Sequence, residues 1–219
     1  SRFTHVAIQN WRDFTKNYMS HFTPGFLFVN GDKNPRSQIP GVGQVYFWEL
    51  PLFILGIWSI LKSKKRLHWL VLMMLLIAPI PASLTRESPH ALRSILMAPT
   101  LAILSSFGAV FLLEKIKVYK VTILIGIVVV SLVSFEFYIV KFFEQYPIAT
   151  SKDWQYGYKE IFSKYKNEIE NARKVIISDE YGQPYIFALY YLKYDPVKFR
   201  KTVEYNDVSN WGASAVNSF

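Results

Sequence analysis

Four apolar runs stand out along the chain, at residues 45–61, 67–83, 95–113 and 121–140, separated by brief charged linkers. A hydrocarbon core about 30 Å thick takes about 20 helical residues to cross, and each run approaches or reaches that length. The first two are short, and each has a defect near one end: Glu49 with Pro51 in the first, Pro79 with Pro81 in the second. A single run of this kind is compatible with a buried core helix. Four in succession predict a mainly α, polytopic membrane helix bundle with about four spans over residues 45–141. Between the second and third runs lies a polar hinge, residues 84–94, LTRESPHALRS, carrying Arg86, Glu87, His90 and Arg93.

The flanks read differently. In residues 1–44, Trp11, Phe14, Tyr18 and Phe22 fall at helical spacing with Arg12, Asp13, Lys16 and Asn17 between them, which predicts an amphipathic helix, interfacial on the outer membrane surface or packed on the bundle, stopped by Pro24 and Gly25. Phe26 to Val29 then enters Asn30-Gly31, a pair that supplies the positive φ angles of a tight turn. The following NPRSQIPGVG is too rich in proline and glycine for regular helix, and its Arg36, like Asp32 before it, is taken by default as a solvated loop charge. Residues 142–219 predict a small α/β appendage. Residues 153–172 and 182–192 carry helical spacing, KVIIS at 174–178 has strand character, and Asp195 with Pro196 ends the second helix.

Charge orients the bundle. The net charge is +9, but residues 142–219 hold ten acidic and ten basic residues and are neutral. The linker with Lys62, Lys64, Lys65 and Arg66 and the linker with Lys115, Lys117 and Lys120 against Glu114 contribute +6 together. Short loops rich in Lys and Arg stay cytoplasmic. That places residues 1–44, the hinge and everything after Lys141 on the extracytoplasmic side of the plasma membrane. Because so much of the excess is topogenic, and no basic stretch is interleaved with aromatic residues, nucleic acid is excluded as a partner.

No Walker loop, HExxH, GxSxG or dinucleotide fingerprint occurs. The chain has no cysteine, and His5, His21, His68 and His90 are scattered, which argues against a polyhistidine metal centre. Ser1 has the character of a position inside a longer chain, so an N-terminally incomplete chain is expected. The hinge is the candidate site. Ions beside hydrocarbon cost several kcal/mol and are kept for a reason. Arg86 and Arg93 offer forked donors to phosphate oxygens, with His90 as a further donor or proton carrier. A competing reading has both arginines snorkelling to headgroups or pairing with Glu87, Glu49 or Glu136.

The run PIPASLTRESPHALRSILMAP, with HFTPGFLFVNGDKNPRSQIPGVGQVYFWELPLFILG upstream and WQYGYKE and GQPYIFALYYLKYDP downstream, resembles the C-terminal part of bacterial membrane glycosyltransferases similar to dolichyl-phosphate-mannose protein mannosyltransferases. The similarity extends over about residues 17–196, and its most specific stretches are TRESPHALRS and FLFVNGDKNPR. It implies the multispanning GT-C fold and transfer of a sugar from a polyprenyl-phosphate donor to a protein, lipid or glycan acceptor on the outer face. In such chemistry a carboxylate activates the acceptor, while cations, sometimes a divalent metal, stabilise the departing lipid phosphate. On this chain Arg93, His90 and Arg86 would form the phosphate side of that site, an expectation motivated by their placement, with membrane lipid as a further partner.

The family's acidic motif lies in its first outer loop, and nothing before Trp11 matches it. No catalytic-base role therefore passes to Asp13, Asp32, Glu49 or Glu87, and the chain by itself is expected to be catalytically incomplete. The alternative is a non-enzymatic membrane protein whose extracytoplasmic segment binds a partner or a glycan. A transporter ranks third, since the spans show no ion relay.

Overall fold

Pro51 sits in the first turn of the first apolar helix, where its missing N–H costs nothing, and Glu49 accepts the backbone N–H of Tyr46 at 3.3 Å. This local chemistry starts α2 at Leu50 and ends it at Lys62. The computed structural model describes residues 2–85, 87–178, 180–205 and 213–216. Its architecture is mainly helical, and the chain divides into two compact units, residues 1–148 and 149–219.

In the first unit, α1 (Arg2–Ser20) leads through a π-helical turn (Gly25–Val29) and an irregular loop to α2 (Leu50–Lys62). Then come α3 (Arg66–Ile77), the single turn α4 (Ile80–Ser83), the hinge, α5 (Met97–Lys115) and α6 (Lys120–Val140), which runs on through a π-helical turn (Lys141–Gln145) into α7 (Tyr146–Ala149). Among the described residues, three helices are long and apolar enough to cross a membrane: Arg66–Ser83, Met97–Lys115 and Lys120–Ala149. The first apolar run is shorter as a helix than as a sequence pattern. Residues 45–49 go to a loop and the 3-10 turn Phe47–Glu49, leaving 13 residues, roughly 20 Å of helix.

α2 and α5 make the closest helix pair. A Cβ at Gly56 would collide with the Leu104 carbonyl, and one at Gly108 with the Leu52 carbonyl, so two glycines let the backbones touch. Around that contact Ile60, Leu75, Ala78, Met97, Leu101 and Leu104 form the core with Phe26 and Leu27 from the loop. His68 meets the Phe107 ring at 4.6 Å while Leu75 and Ala78 join Met97 and Leu101, so α3 runs antiparallel to α5. The lysine-rich linkers at 62–66 and 115–120 accordingly lie a helix length, roughly 27 Å, from the hinge. α6 is different: none of its apolar window is buried within the chain.

The predicted N-terminal helix is present as α1, with the Trp11, Phe14 and Tyr18 rings stacked in turn at 5.8 and 6.0 Å and Phe22, just past its end, tilted against Tyr18 at 5.3 Å. The Asn30-Gly31 turn differs in detail. Gly31 has φ +69, but Asn30 stays right-handed at φ −104, because its N–H closes back onto Gly25.

The second unit packs α8 (Tyr158–Lys164) on α10 (Pro184–Tyr191), burying Tyr158, Phe162 and Ala188, with the Tyr158 and Phe187 rings stacked at 4.8 Å. α9 (Lys166–Asn171) follows α8, and α11 (Pro196–Thr202) leads into β1 (Val203–Tyr205), which pairs antiparallel with β2 (Ala213–Val216). Residues 174–178 form no strand: among the described residues the run pairs with no other strand, and propensity alone makes no ladder. Asp195 does more than end α10. Its side chain accepts the Val197 N–H at 2.8 Å and starts α11.

Replacing Gly108 by Leu forces a side chain into the Leu52 backbone. The variant should lose about 3 kcal/mol or more of stability, read as a drop in the thermal midpoint of the detergent-solubilised protein. A midpoint equal to that of the unsubstituted chain would show that α2 and α5 do not meet there.

Candidate functional site

The hinge leaves α4 without a regular successor, so its backbone polar groups need partners from elsewhere. They come from Asp32. Gly31 has to be glycine: its φ is +69, and a Cβ there would lie 2.7 Å from the Val42 carbonyl. That turn points the next residue inward, and Asp32 is only 3% exposed. One carboxylate oxygen accepts the Asn34 N–H at 3.0 Å, and the other accepts the Ala91 N–H at 2.7 Å. His90 Nδ1 lies 3.3 Å from that second oxygen, close enough for an ionic contact but too poorly aligned for a hydrogen bond.

α1 supplies the other half of the clamp. The His90 N–H donates to His21 Nε2 at 3.2 Å, while His21 Nδ1 lies 2.9 Å from the Asn17 carbonyl. A carbonyl only accepts, so Nδ1 carries the proton and Nε2 has none: the surroundings select one neutral tautomer. Burial holds the His21 imidazole below its ordinary pKa of 6.5, against an upward pull from the Asn17 and Tyr18 carbonyls and from Asp32. Asn17 Nδ2 reaches the Ser83 and Thr85 carbonyls at 3.3 Å each, and Ser88 Oγ donates back to the Asn17 carbonyl at 3.1 Å.

Of the three residues expected at a phosphate site, two are described. Arg93 is exposed over 42% of its side chain; Nη1 donates to Thr85 Oγ1 at 2.8 Å and Nη2 lies 3.9 Å from Glu87. His90 is 5% exposed and faces two carboxylates, with Nε2 3.8 Å from Glu87. Arg86 lies outside the described residues. The hinge thus brings Arg93 and His90 together at Glu87. An ion pair as exposed as that of Arg93 contributes about 0–1 kcal/mol, so its guanidinium is readily released to another anion.

Beside the hinge lie two clefts that share Arg36, Ser37 and Gln44. The first, about 270 Å³, has a mostly apolar wall from Leu92, Ile95, Ala98 and Leu101. The second, about 360 Å³, is walled by the aromatic residues Tyr138, Phe142 and Tyr146 and by Gln38. Arg36 is exposed, and no ion pair to its guanidinium occurs among the described residues.

Sequence reasoning left Asp32 and Arg36 as loop charges and His21 as scattered. The first and third are instead buried pins, and the second is the cation shared by both clefts. The available signal was the Asn-Gly-Asp turn, since a carboxylate placed just after an obligatory positive φ is well positioned to bond neighbouring N–H groups. Among the described residues no group of three or more His, Asp or Glu is arranged to hold a metal ion. No family model matches the chain, and neither a curated protein nor a solved structure matches it.

Two measurements test the clamp. Because folding depresses the His21 pKa, its contribution to stability is present above about pH 6.5 and is lost as pH falls through the lower folded value. The thermal midpoint of the protein should decline below about pH 6.5, and His21→Gln should make that slope shallower; equal slopes would remove His21 from the linkage. Asp32→Ala leaves two partly buried N–H groups unpaired and should cost about 1–3 kcal/mol, read by chemical denaturation, whereas an effect under about 0.5 kcal/mol would mean that the carboxylate does not hold the hinge.

Proposed function

We propose that this chain is part of an integral membrane glycosyltransferase, which moves a sugar from a polyprenyl-phosphate donor to an acceptor on the extracytoplasmic face. The observation that carries the reading is the apolar cleft beside the hinge, lined by Arg36 and by Leu92 and Ser94, the hinge residues on either side of the exposed Arg93. An isoprenoid needs an apolar wall and its phosphate needs cations at the interface; few other ligands need both at once. In this reading Arg93 and Arg86 on the hinge attract the lipid phosphate toward the cleft lined by Arg36, and His90 holds the hinge through Asp32.

The membrane assignment rests on three apolar helices and on the distance between the lysine-rich linkers and the hinge. We place the chain as multi-pass in the plasma membrane, with α2 completing a fourth, short crossing and the second unit on the outer side. The positive linkers then face the cytoplasm. The acceptor is a protein, lipid or glycan, and membrane lipid borders α6. Asp32 is fully engaged in holding the hinge, so the base that activates the acceptor is another carboxylate, and transfer by this chain alone is not expected.

Binding to the protein in lipid nanodiscs tests the reading without requiring turnover. A polyprenyl phosphate should bind at least about tenfold tighter than the matching polyprenol, because charge-assisted hydrogen bonds are worth about 1.5–3 kcal/mol. Arg93→Ala should narrow that gap. Equal affinity for the two lipids would overturn the reading, and an unchanged gap in Arg93→Ala would remove Arg93 from it.

A further inference from the structure

The two clefts meet at Arg36, and their walls differ in kind. On one side Leu92, Ile95, Ala98 and Leu101 offer only apolar surface. On the other, the Tyr138, Phe142 and Tyr146 rings follow one another along α6 and its continuation, nearly parallel, with centroids 6.1 and 5.6 Å apart and interplanar angles of 11° and 9°. Gln38 and Gln44 also line this cleft. The Gln38 Oε1 itself is buried beside Gly31 with no hydrogen-bond partner.

We propose that the aromatic cleft is the glycosyl subsite for a hexose 1-phosphate unit, with the sugar ring against the Tyr138, Phe142 and Tyr146 strip and its phosphate on Arg36. A pyranose has one face of polarised C–H groups and a rim of hydroxyls. The negative face of an aromatic ring suits the former, and the carboxamides of Gln38 and Gln44, which both donate and accept, suit the latter. Arg36 stands where an anion joined to that sugar would be, at the edge shared with the apolar cleft. Its guanidinium is free to form a bidentate pair with phosphate, and its backbone is fixed because the Tyr146 hydroxyl donates to the Arg36 carbonyl at 3.2 Å. The order along the surface is apolar wall, cation, aromatic and amide wall. That matches the order of chain, phosphate and sugar in a lipid-linked donor, so this inference rests on the function proposed above and adds where the sugar sits.

The test uses water-soluble probes and the full chain, purified in a detergent without a sugar headgroup. Glucose 1-phosphate, galactose 1-phosphate and mannose 1-phosphate are titrated in turn, beside each free hexose and inorganic phosphate. At least one hexose 1-phosphate should bind saturably and about tenfold or more tighter than inorganic phosphate. Arg36→Gln should reduce its affinity about tenfold toward that of the free hexose, and Phe142→Ala should weaken it while leaving any inorganic phosphate binding unchanged. Both side chains are exposed, and the thermal midpoint of each variant should stay at the value of the unsubstituted protein. Binding of none of the three sugar phosphates would overturn the proposal. So would equal binding of inorganic phosphate with no response to Phe142→Ala, which would leave an anion site without a sugar. If polyprenyl phosphate were still preferred over polyprenol in either case, the donor reading would survive with its sugar placed elsewhere.

Discussion

The Asp32 carboxylate is the contact on which the polar end of the first unit depends. Removing a carboxylate from water costs several kcal/mol, and only well-placed donors offset it. Here the donors are backbone N–H groups from two places far apart in sequence: Asn34 on its own turn and Ala91 in the hinge. One side chain therefore fixes the register of a loop against the junction between two apolar helices. His21 extends the same tie to α1 by accepting the His90 N–H. The hinge is irregular but not loose, because polar partners from elsewhere replace the helix ladder that its proline and turn residues interrupt.

At the other extreme of polarity, the closeness of α2 and α5 sets where that polar end begins. With no side chain at Gly56 or Gly108, the two backbones meet directly and the larger residues around them close the core. The loop before α2 contributes Phe26 and Leu27 to this core while the same loop carries Asp32 and Arg36. Apolar anchoring on one side and carboxylate anchoring on the other hold residues 26–44 as a fixed wall for both clefts.

Elements set by local pattern could be read in the sequence, and elements set by long-range contact could not. The second, third and fourth apolar runs became helices because hydropathy and length act locally. The first run was overestimated by five residues, because Val45 to Glu49 pack as loop and 3-10 turn against the core and α6; Trp48 Nε1, for instance, donates to Ser134 Oγ at 3.0 Å. KVIIS had the composition of a strand but needed an edge that no local rule provides. The hinge was legible as a polar interruption between apolar segments, and Arg93 is an exposed residue on it. Asp32 was not legible as a pin, since its partners at Ala91 and His90 are nearly sixty residues away and become neighbours only after the helices have packed.

The attachment of α6 has a mechanical consequence. None of its apolar window is fully buried, and the hydrogen bonds made to the preceding loop and 3-10 turn, Trp48 to Ser134 and Lys141 to Pro40, cluster at its C-terminal half and just beyond. Tyr138, Phe142 and Tyr146 lie at that same half and form one jaw of the aromatic cleft. A helix with so little of its surface buried, and fastened mainly toward one end, can change its inclination by pivoting there. The aperture of that cleft therefore follows the angle at which α6 stands.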